Sequence, residues 1–291
     1  MRIIVSLILV MSMLLSLIPA FAEEQPVYVA LGDSITTGYG LAEGEPCFAK
    51  IVADANGYLL INHAVNGNTA VGILAQMADP AVLADIASAA VITITCGGND
   101  LMGLLYQQMA SVYNAVIPET MAALKVKPEE ITRIMANVED PRQQMLMLAA
   151  KTVLEGNAEM GITPFVQSDA MINGITTYLQ NMGAIMAGIR KVNPDATIIV
   201  ATQYNPYSSF DGLYSSLNRG MNMGAMALSK YISDYSALLG YQIADVYTAF
   251  AASTENLMNA CMEPLNLDFH PNAAGHVVIA DTVNAVLNPV K

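Results

Sequence analysis

The chain has 291 residues, and 25 acidic side chains outnumber 12 Lys and Arg to give a net charge of −13. Such a surface repels phosphate backbones and anionic headgroups, so we predict neither a nucleic-acid partner nor electrostatic docking on a membrane. Hydrophobic residues make up 54% of the chain, which is enough for one large domain with a substantial core.

The first 22 residues have the composition of a secretory signal peptide. A basic second residue precedes an apolar run over residues 3–18, and Ala-Phe-Ala follows at residues 20–22. We therefore expect cleavage before Glu23, a mature domain over residues 23–291, and a secreted protein, extracellular or periplasmic. The apolar run is short for a membrane span and no Cys lies near the cleavage point, so we expect no stable membrane anchor.

Five apolar, β-branched runs predict buried strands. They are nearly continuous rather than alternating, which is typical of strands covered on both faces. Helix-period segments separate several of them, and residues 217–239 and 272–287 have this spacing. The alternation predicts an α/β fold, a three-layer α/β/α sandwich around a five-stranded parallel sheet in the doubly wound order 2-1-3-4-5. The five runs are Val27 to Leu31, Tyr58 to Asn62, Ala90 to Thr95, Ala196 to Thr202 and Tyr241 to Val246.

The interval between the third and fourth predicted strands is longer than one crossover helix requires. Helix-start signals, Lys-Pro-Glu-Glu at residues 127–130 and Asp-Pro-Arg-Gln at residues 140–143, predict a helical insertion over about residues 104–165. Its Met-rich composition fits two arrangements: a second helical layer packed on the core, or an adaptable apolar cap over a ligand site.

Small and polar residues follow the first three predicted strands and precede the last helix. Ligands bind beyond the carboxyl ends of parallel strands, so these loops are expected at one edge of the sheet. They supply a hydroxyl, an imidazole, a carboxylate, a carboxamide and glycine amides, which are the groups that acyl transfer requires. The relevant segments are Gly32-Asp33-Ser34, Asn66-Gly67-Asn68, Gly97-Gly98-Asn99-Asp100 and Asp268-Phe269-His270.

The sequence resembles the SGNH (GDSL-type) hydrolase superfamily in four blocks that occur in the same order: Gly32-Asp33-Ser34, Gly67, Gly97-Gly98-Asn99-Asp100, and His270-Pro271 through Gly275-His276. The resemblance implies a flavodoxin-like SGNH hydrolase fold and a metal-independent serine hydrolase acting on ester bonds. By position it implies Ser34 as the nucleophile and His270 as the general base. It also implies an oxyanion hole formed by the backbone amides of Ser34 and Gly67 and the side chain of Asn99.

One position departs from the family pattern. The superfamily usually places its triad Asp three residues before the His, where this chain has Leu267. Asp268 lies two residues before His270 instead, and we predict that it completes the triad. The alternative is a backbone carbonyl in that role, which would leave a Ser-His dyad.

Histidine and cysteine are too few and too scattered for a metal-ligand cluster, so neither a metal nor another cofactor is predicted. The chain has three cysteines, none with Cys-x-x-Cys spacing. In an exported protein they would be unpaired buried thiols or would form one bridge between Cys47 and Cys261.

The predicted function is a secreted serine esterase that hydrolyses carboxylic esters through an acyl-serine intermediate. A Met-rich insertion suits a lipid or lysophospholipid acyl chain. Acetyl groups on polysaccharide are the competing substrate, although the absence of Trp disfavours a sugar site. A non-catalytic binding protein on the same fold is the alternative from another functional class.

Overall fold

The computed structural model describes residues 25–105, 165–212 and 215–289. The predicted signal peptide lies outside the described residues. Nearly all of the predicted insertion over residues 104–165, with both of its helix-start signals, lies outside them too.

The described chain is built around a five-stranded parallel sheet in the order β2-β1-β3-β4-β5. This order and the parallel pairing confirm the predicted α/β fold class. The strands are β1 (Val27–Gly32), β2 (Leu59–Asn62), β3 (Ala89–Thr95), β4 (Thr197–Ala201) and β5 (Gln242–Ala244).

Helices flank the sheet in two groups. Helix α9 contacts α2 and α8, whereas α5 contacts α3 and α4. A further helical stretch begins at residue 98 and continues to residue 105, where the described range ends. The bounds are α1 (Ser34–Thr37), α2 (Phe48–Asn56), α3 (Ala70–Gln76), α4 (Pro80–Ser88), α5 (Asp169–Val192), α6 (Ser215–Asp234), α7 (Ser236–Leu239), α8 (Val246–Ala252) and α9 (Ala273–Leu287).

The three inner strands are buried along almost their whole length, which explains why their sequences are continuously apolar. The polar groups inside this layer are paired with each other. The Tyr28 hydroxyl of β1 lies 2.7 Å from the Thr93 hydroxyl of β3, in a fully buried contact. The interior of the sheet is therefore both apolar and satisfied in its hydrogen bonds.

The structure differs from the predicted elements at two places. Strand β5 ends before Asp245, because that side chain accepts a hydrogen bond from the Thr248 N–H and caps α8. A short antiparallel ribbon of β6 (Cys261–Met262) and β7 (Leu265–Asn266) was not predicted. Strands of two residues are too short to have a recognisable periodicity.

Within the described part of the chain, no single helix has both the length and the hydropathy of a membrane span. Helices α3 and α4 reach the threshold only as a pair bent by 97°, and by length and composition alone.

His276 ties α9 to α2 in the core. It is fully buried, and its Nδ1 accepts a hydrogen bond from the Phe48 N–H at 3.2 Å. Its Nε2 has no hydrogen-bond partner among the described residues. Burial lowers the pKa of His276 to about 4, with a smaller contribution from the nearby His270. The imidazole is therefore neutral at physiological pH and its Nδ1 remains an acceptor.

This arrangement predicts a loss of stability in acid. A lowered folded-state pKa means that His276 stabilises the fold above pH 6.5 and that this contribution disappears as the pH falls through about 4. Between pH 7 and pH 4 the wild type should lose about 3 kcal/mol more unfolding free energy than His276→Asn, whose Oδ1 replaces the acceptor without titrating. Urea unfolding at both pH values measures this difference. Equal losses in the two proteins would contradict the assignment.

Candidate active site

Ser34 is the first residue of α1, and one residue separates it from the end of β1. The preceding Asp33 caps this helix: its Oδ1 accepts hydrogen bonds from the Ile35 N–H at 3.0 Å and from the Thr95 hydroxyl at 2.9 Å. Burial raises the pKa of Asp33 to about 6, although these two hydrogen bonds act in the opposite direction. Asp33 therefore shapes the turn that presents Ser34.

Gly32, which precedes Asp33 and Ser34, is required because the ends of β1 and β3 approach each other closely. Gly32 has a φ of +148°, and a Cβ atom there would lie 2.3 Å from the Thr95 Oγ1. Any larger residue would push apart the ends of β1 and β3. The Gly-Asp-Ser triplet thus combines a close contact, a helix cap and a serine hydroxyl, itself largely buried, in three consecutive positions.

The structure brings Ser34, His270 and Asp268 together in one line of hydrogen bonds. The Ser34 Oγ lies 3.0 Å from the His270 Nε2, and the Asp268 Oδ1 lies 2.5 Å from the His270 Nδ1. An ionised carboxylate only accepts, so the Nδ1 carries the proton and the Nε2 faces the hydroxyl as an acceptor. In this arrangement the His270 Nε2 can accept the proton of the Ser34 hydroxyl.

The Asp268 carboxyl is ionised at neutral pH. Its partial burial would raise its pKa, but the hydrogen bonds from His270 and Asn259 and the electrostatic interaction with the imidazole outweigh burial and hold the pKa below its usual value. Asp268 can therefore stabilise a positive charge that develops on the imidazole.

A compact loop allows Asp268 to reach the imidazole although it lies only two residues before His270. The His270 N–H donates to the Asp268 Oδ1 at 3.1 Å, so the carboxylate folds back over its own turn. Leu267, at the position where the superfamily usually has its Asp, is 2% exposed and packs in the core. In this loop the usual position of the Asp thus holds a core residue, Leu267, and the next position holds the carboxylate that binds the imidazole.

Two tyrosines that follow β4 hold this loop in place. The Tyr207 hydroxyl donates to the Leu267 carbonyl at 2.9 Å, and the Tyr204 hydroxyl donates to the Phe269 carbonyl at 3.1 Å. Sequence reasoning did not identify either residue. The sequence feature that could have indicated them is their position just beyond the carboxyl end of a predicted strand, where site residues are expected.

The predicted oxyanion donors belong to three different segments: Ser34 begins α1, Gly67 lies in the loop before α3, and Asn99 is in the helical stretch over residues 98–105. Ser34 and Asn99 line one cavity. Asn99 donates one side-chain N–H to the Asn68 carbonyl at 2.9 Å, and the second N–H of this amide can donate to an oxyanion. Gly67, with a φ of +76°, is the third residue of a turn closed by the hydrogen bond from the Asn68 N–H to the Val65 carbonyl. Gly67 is not among the residues that line the cavity.

Asp100 connects the helical stretch that carries Asn99 to the start of α3. Both of its carboxylate oxygens accept from the Ala70 N–H, at 3.1 and 3.2 Å. Burial raises the pKa of Asp100, and hydrogen bonds from backbone amides partly offset this effect. The carboxylate thereby fixes the start of α3, and with it the loop that carries Gly67, relative to Asn99.

A cavity of about 120 Å³ opens beside the Ser34 hydroxyl. Its wall is largely apolar and is contributed by the helical stretch at residues 98–105, by α5 and α6, and by residues 165–166. Representative wall residues are Leu101, Met102, Leu105, Phe165, Met221 and Leu228.

Among the described residues, no group of three or more His, Cys, Asp or Glu side chains is arranged to hold a metal ion. Cys47, Cys96 and Cys261 are all free thiols in the structure. The bridge considered between Cys47 and Cys261 is therefore not formed.

The sequence model of the GDSL-like lipase/acylhydrolase family matches residues 30–278. This range includes the Gly-Asp-Ser turn, the loops of Gly67 and Asn99, and the Asp268–His270 segment. The chain belongs to this family. The resemblance seen in the sequence is thus confirmed, and family membership implies hydrolysis of small-molecule esters by a serine-type mechanism.

Two bacterial relatives are similar in sequence. The uncharacterized protein YpmR of Bacillus subtilis is 23% identical over 271 residues, which cover 90% of this chain and 81% of the relative. The spore germination lipase LipC of Bacillus licheniformis is 41% identical over 81 residues, which cover 26% of this chain and 38% of the relative.

Solved structures of lipolytic enzymes have a similar fold. Phospholipase A1 from Streptomyces albidoflavus NA297 superposes with a TM-score of 0.56 at 19% identity, over 90% of this chain and 99% of the other. The extracellular lipase from Streptomyces rimosus gives a TM-score of 0.55 at 19% identity, over 89% and 99%. These similarities confirm the three-layer architecture.

The geometry predicts the effect of removing the Asp268 charge. Asp268→Asn should lower kcat by about four orders of magnitude, because the amide would favour the wrong imidazole tautomer. Steady-state kinetics on an activated ester measures this effect. Asp281→Asn, a neutralised exposed Asp on α9, is the matched control. A wild-type kcat in Asp268→Asn would instead support a Ser-His dyad.

Proposed function

We propose that this chain is an exported serine esterase that hydrolyses carboxylic esters with an apolar acyl chain, such as those of lipids or lysophospholipids. The observation that carries the proposal is the apolar cavity directly beside the Ser34 hydroxyl, which itself lies 3.0 Å from the His270 Nε2. A hydrocarbon chain in this cavity would place its ester carbonyl next to the nucleophile.

Acylation starts from the hydrogen bond between Ser34 and His270. The Ser34 Oγ attacks the carbonyl carbon of the ester while His270 accepts the hydroxyl proton, and Asp268 stabilises the imidazolium. The N–H groups of Ser34 and Gly67 and the Asn99 amide donate to the oxyanion of the tetrahedral intermediate. When the bond to the leaving oxygen breaks, His270 gives its proton to the departing alcohol.

Deacylation uses the same groups in reverse. A water molecule loses a proton to the His270 Nε2 and attacks the acyl carbon, the oxyanion forms at the same donors, and Ser34 leaves with the proton returned by His270. The products are the free acid and regenerated enzyme. No step of this cycle requires a cofactor.

The apolar wall accounts for the proposed substrate class. Each methylene of an acyl chain buried there contributes roughly 0.8 kcal/mol, so binding would strengthen with chain length until the cavity is filled. Charged side chains are scarce in this wall: Asp33, at the Ser34 end, is the only one among the described lining residues. An acetyl group would leave most of the cavity empty.

Export rests on the sequence of residues 1–22, with the mature enzyme formed by residues 23–291. The substrate class and export are consistent with each other, because lipid esters are accessible outside the cytoplasm. The S. rimosus lipase, which has a similar fold, is extracellular, and this supports the same assignment.

The proposal is tested by kcat/KM of the mature chain on p-nitrophenyl esters from acetyl to palmitoyl, with Ser34→Ala as the control. We expect activity to rise with acyl length and to be lost in Ser34→Ala. A sharp preference for acetyl would instead indicate an esterase for acetylated glycans. Equal background rates in both proteins would indicate a non-catalytic binding protein.

A second variant tests whether the cavity holds the acyl chain. Gly224 of α6 lines the cavity, and a Cβ atom there would lie 3.8 Å from Val166, in ordinary contact with free space beyond. Gly224→Val should lower kcat/KM on long-chain esters about tenfold, the equivalent of two buried methylenes, with a smaller effect on acetyl. Gly183→Val, in α5 away from the cavity, is the matched control. Parallel losses across all chain lengths would contradict the pocket.

A further inference from the structure

The Asp268 carboxylate has a hydrogen-bond partner that the catalytic scheme does not use. Its Oδ1 accepts from both the side chain and the backbone N–H of His270. Its Oδ2 accepts from the Asn259 Nδ2 at 3.3 Å. The same Asn259 nitrogen donates to the Gly40 carbonyl at 3.2 Å. Asn259 therefore joins the outer oxygen of the carboxylate to the loop that follows Ser34.

We propose that Asn259 is a positioning residue that fixes the Asp268 carboxylate for its hydrogen bond to His270, an inference that rests on the function proposed above. Two donors act on Oδ1, and both belong to His270. Without a donor on Oδ2, the carboxylate could rotate about its Cβ–Cγ bond and weaken the hydrogen bond that orients the imidazole. Asn259 supplies that donor.

The backbone of Asn259 is fixed to the backbone of the catalytic loop. Its N–H donates to the His270 carbonyl at 3.0 Å, and its carbonyl accepts from the Asn266 side chain at 3.0 Å. An isolated antiparallel bridge pairs Met258 with Pro271 on the same side. The amide donor is thus attached to a backbone that cannot shift without moving His270.

Gly40 provides the space that this side chain needs. It has a φ of +91°, and a Cβ atom there would lie 2.6 Å from the Asn259 Nδ2 and 3.4 Å from the Asp268 Oδ2. A side chain at position 40 would therefore displace the amide from the carboxylate. Glycine is therefore needed at position 40 so that the Asn259 amide can reach the Asp268 carboxylate.

The compact geometry of this loop explains why a third donor matters. Asp268 lies only two residues before His270, so its carboxylate is held against its own turn by a hydrogen bond to a backbone N–H. The two oxygens rotate together about the Cβ–Cγ bond, so a donor on Oδ2 resists the same rotation that would weaken the hydrogen bonds to Oδ1. Asn259 is also not among the residues that line the cavity, so its substitution should affect catalysis rather than substrate binding.

The test compares Asn259→Ala with wild type on an ester of the preferred length, in the intact mature chain. We expect kcat to fall about 10- to 100-fold with KM nearly unchanged, because misplacement of a catalytic group costs rate rather than affinity. Asn259→Asp, which keeps the shape but replaces the donor with an acceptor, should lose kcat similarly. Asn256→Ala, in the same loop with no hydrogen bond to the triad, is the matched control.

A double-mutant cycle decides whether Asn259 acts through Asp268. In an Asp268→Ala background, Asn259→Ala should cause almost no further loss of kcat. The same loss in both backgrounds, or a kcat equal to that of Asn256→Ala, would overturn the proposal. Failure of the proposed function is distinguishable, because it would appear as equal rates in wild type and Ser34→Ala or as a sharp preference for acetyl, neither of which depends on Asn259.

Discussion

The contact between the ends of β1 and β3 is the constraint on which the candidate site depends. The Thr95 hydroxyl lies at this contact, where it donates to the Asp33 carboxylate at 2.9 Å and lies 2.7 Å from the Thr36 hydroxyl. Only a glycine at position 32 allows the two strands to approach so closely. This buried polar network fixes the turn that carries Ser34 before any catalytic partner is added, and the rigid parallel sheet below it keeps the turn in place.

The other half of the site reaches Ser34 from a distant part of the chain. His270 and Asp268 belong to a loop that Tyr204 and Tyr207 fasten to the end of β4 through two carbonyl oxygens. Asn259 adds a contact from the loop before the ribbon of β6 and β7. Three separate segments therefore determine the position of one imidazole. Such redundancy is expected where a displacement of 1 Å lowers the rate substantially.

The sequence predicted the features that depend on local pattern. Continuous apolar runs predicted the five strands, while the triplet after the first strand and the segment before the last helix indicated Ser34 and His270. The details around Asp268 were not predictable in the same way, because they depend on contacts between distant residues. Tyr207 and Leu267, for example, are 60 positions apart, and neither has a sequence signature for the hydrogen bond between them. The ribbon was missed because its strands have two residues each.

The most direct test of the account is whether Ser34 is the nucleophile. The folded mature chain would be treated with a fluorophosphonate, and the adduct would be located by peptide mass spectrometry, with His270→Ala as a second sample. We expect one adduct, on Ser34, and much slower labelling in His270→Ala, because the hydroxyl loses its base. No adduct in the folded protein, or an adduct on another serine, would contradict it.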